Sequence, residues 1–145
     1  MNRMLVALYA VAIILAPVRA FADNVTMATQ YPLGAVAITC SATGTTSATA
    51  CTLASSTTRT TYICSFSIRA NATAAATGNS TVAGTITGTL NYTQWTAPLA
   101  SGLGINEQVY LPCLPASAVN TAIVITSAAS GSGGVVSVSA TGYQL

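Results

Sequence analysis

Four cysteines, Cys40, Cys51, Cys64 and Cys113, constrain this chain most, because each pair that closes ties together two distant points of the backbone. Whether they close depends on the compartment, and the N-terminus bears on that. Met1-Asn2-Arg3 is a short basic start, and residues 4–16 form an apolar run. Ala20-Phe21-Ala22 then carries small residues where signal peptidase reads them. The run is shorter than the roughly 20 residues a membrane span needs. The expectation is a cleaved signal peptide over 1–22 and a single β-sandwich domain over 23–145. The mature chain would be secreted, periplasmic or on the cell surface, with no membrane contact after cleavage. No cysteine follows the cut, which argues against a lipid anchor.

In an exported chain an even number of cysteines reads as disulfides. A metal site would need close ligand pairs such as C-x-x-C, usually with His, and the sequence has neither. No metal is expected. Three connectivities are open. The preferred one joins Cys40 to Cys51, clipping a local loop, and Cys64 to Cys113, tying the clearest strand to a proline-flanked segment. In the chain-entropy model these closures contribute roughly 3 and 4 kcal/mol.

Removing the signal also removes Arg3 and Arg19. The mature chain keeps Asp23, Arg59, Arg69 and Glu107, which sum to zero. The formal charge of +2 is therefore the signal's. Nucleic-acid binding, which needs clustered Lys and Arg, is not expected. A near-zero net charge favours association. About 120 residues is enough for one modest core.

Thr, Val and Ile are abundant, and period-2 alternation recurs between Gly, Asn, Ser and Pro clusters. The clearest strand is 60–69, with Tyr62, Cys64, Phe66 and Ile68 on the apolar face and Thr61, Ile63, Ser65, Ser67 and Arg69 on the other. Residues 81–92 read as another, with Val82, Ile86, Leu90 and Tyr92 on one face. Gly84 and Gly88 share that face, so something comes close there. Further strands are expected at 36–40, 51–53, 108–111, 121–126 and 135–143, and one at 25–31. Breaks are expected at 32–34, 44, 78–79, 98–104, 112–115 and 131–134. The fold class is all-β: an antiparallel sandwich or jelly roll of seven to eight short strands, disulfide-bonded.

No catalytic constellation is found. The common triads need a His base, and there is none. A carboxylate pair would have to use Asp23, the first residue of the mature chain, with Glu107. The chain is expected not to be an enzyme and to take no cofactor. Ser130-Gly131-Ser132-Gly133-Gly134 reads as a hairpin loop. Binding has one candidate, Tyr92 and Trp95, two aromatics among polar side chains that could stack on a sugar or a partner. Against it, the only Trp can fill the core or cap the sandwich. Arg59 and Arg69 read as solvated outward residues, and Glu107 as an ordinary polar strand start. Asn24, Asn71, Asn79 and Asn91 each sit in an N-x-S/T sequon, which means glycans only in a host that glycosylates exported proteins.

Two stretches carry a resemblance. Residues 110–125, beginning Tyr110-Leu111-Pro112-Cys113-Leu114-Pro115, and the closing 138–145, Val-Ser-Ala-Thr-Gly-Tyr-Gln-Leu, resemble small secreted or phage-associated proteins of proteobacteria. That resemblance implies no particular activity. A second resemblance, to chaperone–usher pilin subunits, rests on Gly131 standing twelve residues before Tyr143, and on Val25, Met27, Thr29 and Tyr31 alternating like a donor strand. It implies a fibre subunit assembled by strand addition. Here Tyr143 is third from the end rather than penultimate, and the cysteines allow two disulfides rather than one. The function expected is a non-enzymatic structural or surface protein that can self-associate. The alternatives are an extracellular binding module for glycans or a host surface, and a pilin-like fibre subunit.

Overall fold

A computed structural model describes residues 31–45, 47–72, 78–92, 102–131 and 133–145. The expected signal peptide, most of the expected strand 25–31, Asp23, Asn24 and Trp95 lie outside the described residues.

Among the described residues eight strands form: β1 (Val36–Thr45), β2 (Ala50–Leu53), β3 (Thr61–Ala72), β4 (Ser80–Thr85), β5 (Gly88–Tyr92), β6 (Gly102–Pro115), β7 (Ile123–Thr126) and β8 (Val135–Gln144). They make two four-stranded sheets, ordered β1-β8-β3-β6 and β2-β7-β4-β5. Every pairing is antiparallel. The all-β, disulfide-bonded reading holds.

Alternation builds the core. Ile63, Phe66, Ile68, Ala70, Val136, Val138 and Ala140 point inward from the first sheet, and Leu53, Val82, Ile123 and Ile125 from the second. Burying such side chains contributes about 1.5–3 kcal/mol each. Cys40–Cys51 joins β1 to β2, the matching edges of the two sheets. Cys64–Cys113 ties β3 to β6 within the first sheet. Both bridges are the preferred ones.

Three details of the strand reading are corrected. The register of β3 shifts between Ile63 and Ser65 against both neighbours. The bulge reverses the faces at the start of the strand. Thr61 and Ile63 are buried and Tyr62 turns outward; Phe66 and Ile68 remain inward. Gly142 lies opposite Ile63, and a Cβ there would run into the Tyr62 carbonyl oxygen. Residues 81–92 are a hairpin, not one strand. Ile86 sits in the turn, 63% exposed. The close approach expected at Gly84 and Gly88 is present only at Gly84, where φ is +87° and a Cβ would meet the Ala122 carbonyl; at Gly88, with φ +83°, nothing comes close. Finally, two strands run through expected breaks: β1 through Gly44, and β6 through 112–115 and the last residues of 98–104. Among the described residues β6 pairs only with β3, and an edge strand tolerates prolines that a central one does not.

Candidate functional site

Outward alternation of the first sheet sets up an ordered face. Thr39, Ser41 and Thr43 of β1 point away from the core, as do Ser137, Ser139 and Thr141 of β8. β3 adds Ser65, Ser67 and Arg69, and β6 adds Ile105, Glu107 and Val109. The registers align these residues into rows across all four strands. One row is Thr39–Thr141–Ser65–Val109, the next Ser41–Ser139–Ser67–Glu107, and the third Thr43–Ser137–Arg69–Ile105. Neighbours along a row are a strand spacing apart, about 4.8 Å.

A shallow depression of about 220 Å³ opens on this face, lined by Ser65, Ser67, Glu107, Val109, Ser139 and Thr141 among others. Its polar groups are already oriented. Glu107 Oε1 accepts hydrogen bonds from Arg69 Nη2 and from Ser67 Oγ, each at 3.0 Å. Ser65 Oγ and Thr141 Oγ1 pair at 2.7 Å. The Arg69 hydrogen bond, then the Ser67 one, hold the Glu107 carboxyl below its ordinary range, so it is an acceptor at neutral pH. Beyond the first row, Tyr62 pairs with Tyr143 and their rings stack at 4.6 Å. Tyr31 tilts against the other side of Tyr143, at 5.3 Å. Burial, then neighbouring Tyr62, raises the Tyr143 phenol.

The residues singled out from sequence fall elsewhere. Tyr92 ends β5, half-buried, with its ring edge-on to Phe66 at 5.1 Å and its hydroxyl bonded to that of Tyr110. Cys40, Cys51, Cys64 and Cys113 are structural bridges. Arg59 is outward and donates to the Gly34 carbonyl at 3.1 Å. Asn71, Asn79 and Asn91 are exposed. Among the described residues no three His, Cys, Asp or Glu stand close enough to share a metal ion, and no helix is long and apolar enough to cross a membrane.

Sequence reasoning passed over Ser65, Ser67, Ser139 and Thr141, and gave Glu107 no role. A signal for the hydroxyls was present: Thr39-x-Ser41-x-Thr43, Ser65-x-Ser67 and Ser137-x-Ser139-x-Thr141 repeat one spacing in three strands. No protein-family model, curated protein or solved structure matches the chain.

Proposed function

We propose that this chain works outside the cytoplasm as a non-enzymatic structural or surface protein that associates with copies of itself. The observation that carries this reading is the edge of β6. Among the described residues its outer side has no partner strand, and Ile105, Val109 and Leu111 are 53%, 63% and 84% exposed along it. An unpaired edge bearing apolar side chains is a template for another strand. The single charge on it, Glu107, is neutralised by Arg69, so two copies approach without net repulsion.

Strand addition at this edge would use main-chain hydrogen bonds for affinity and the alternating side chains for register. The disulfides fit an oxidising, non-cytoplasmic setting, and the N-terminal apolar run supports export.

Light scattering on the mature protein over a range of concentrations tests this. The mean mass should rise with concentration, and Ile105→Lys with Leu111→Lys should hold it at the monomer value. A strict monomer at high concentration, or assembly that survives both lysines, overturns the reading.

A further inference from the structure

We propose that the depression on the outer face of β3, β6 and β8 binds a sugar residue of a neutral glycan. Its volume, about 220 Å³, lies below the roughly 300–1,000 Å³ of sites for drug-sized ligands. It has room for one small polar ring. The lining supplies what such a ring needs. Both donors to Glu107 go to Oε1, so Oε2 is left as a charged acceptor with no hydrogen bond among the described residues. Ser139 stands beside it in the same row, its hydroxyl likewise free among the described residues. Val109 offers a small apolar surface for C–H groups.

Charge selects the ligand class. Arg69 and Glu107 cancel, and the other outward residues of the three rows are uncharged. An anionic ligand meets the Glu107 carboxylate, and the one cation nearby already serves that carboxylate. An apolar ligand would strip water from hydroxyls and return nothing. A neutral polyol can exchange those hydrogen bonds one for one, and bonds to a carboxylate are the stronger kind. The hydroxyl rows continue from the depression to β1, and the half-buried Tyr62 ring lies one row away, so adjoining sugar residues would also find polar and aromatic surface. Glu107 and Val109 of β6 belong to both surfaces, so sugar binding is measured at protein concentrations where the mean mass is that of the monomer.

Calorimetric titration of the mature protein tests this, with linear neutral oligosaccharides of glucose, mannose and N-acetylglucosamine, and with oligogalacturonate as the anionic comparison. At least one neutral oligosaccharide should bind. Glu107→Gln and Ser139→Val should each weaken it about tenfold. Both side chains are exposed, so thermal midpoints should stay close to that of the parent and separate lost binding from lost folding. No binding of any neutral oligosaccharide at about 10 mM, a Kd that leaves less than about 3 kcal/mol of association, overturns the proposal. So does binding that survives both substitutions but is lost in Trp95→Ala, or tighter binding of oligogalacturonate.

Discussion

The phenol hydroxyls of Tyr92 and Tyr110 hydrogen-bond to each other between β5 and β6, with Phe66 packed against both rings. At the opposite edges of the sheets, β1 and β2 are joined by Cys40–Cys51. The two sheets are thus linked at both margins, by a polar aromatic pair at one and a covalent bond at the other.

Tyr110→Phe should therefore lower stability by about 1 kcal/mol, because it leaves the half-buried Tyr92 hydroxyl without its partner. It should also change the alkaline limb. Burial, then the Tyr92 hydrogen bond, raises the Tyr110 phenol well above its ordinary value. Both states are protonated below about pH 10, and the contribution is complete there. Above that the unfolded chain ionises first, so stability falls as pH rises toward the folded value. Urea midpoints from pH 8 to 11 should show that decline in the parent and a shallower one in Tyr110→Phe.

The two disulfides should differ in what they contribute. The loops they close span 11 and 49 residues of sequence separation. Chain entropy then assigns about 3 kcal/mol to Cys40–Cys51 and about 4 to Cys64–Cys113. Replacing both cysteines of each pair by Ala, and comparing urea midpoints, should find the Cys64/Cys113 variant the less stable by about 1 kcal/mol.

The all-β class and the strand count were legible because alternation is a local property, whereas the disulfide pairing was one preference among three connectivities, and Cys64–Cys113 closes across 49 residues. The inverted start of β3 was not legible. Tyr62, Cys64, Phe66 and Ile68 make an unbroken apolar alternation, and nothing in it marks the bulge that exchanges Tyr62 and Ile63. The hairpin was hidden because its turn residues, Ile86 and Thr87, are strand formers, while the glycines flank them. The candidate site was the least legible. Ser65 and Thr141 touch across 76 residues of sequence, and only the order β1-β8-β3-β6 brings their rows together.

Glu107 should titrate below an ordinary carboxylate, and the shift should be traceable to named donors. The Arg69 hydrogen bond is the larger cause and Ser67 the next. A depressed carboxyl supports the fold above its unfolded pKa, and that support is lost as pH falls through the folded value. Because the pair is exposed, the effect on stability is small and screened by salt. Carboxyl-carbon NMR from pH 2 to 7 should show the pKa rising in Arg69→Ala more than in Ser67→Ala.

Gly142→Ala tests the bulge itself. Gly142 faces Ile63 of β3 and Ile38 of β1, in the middle of the sheet. An added Cβ would enter the Tyr62 carbonyl, which is backbone and cannot rotate away. The two central strands would have to part where Tyr62 stacks on Tyr143. Overpacking of this kind costs about 1–3 kcal/mol. The change should also loosen the aromatic stack. Urea unfolding followed by tyrosine near-ultraviolet dichroism should therefore show both a lower midpoint and a weaker native signal. An unchanged midpoint would mean that β3 and β8 do not approach as closely as the bulge requires.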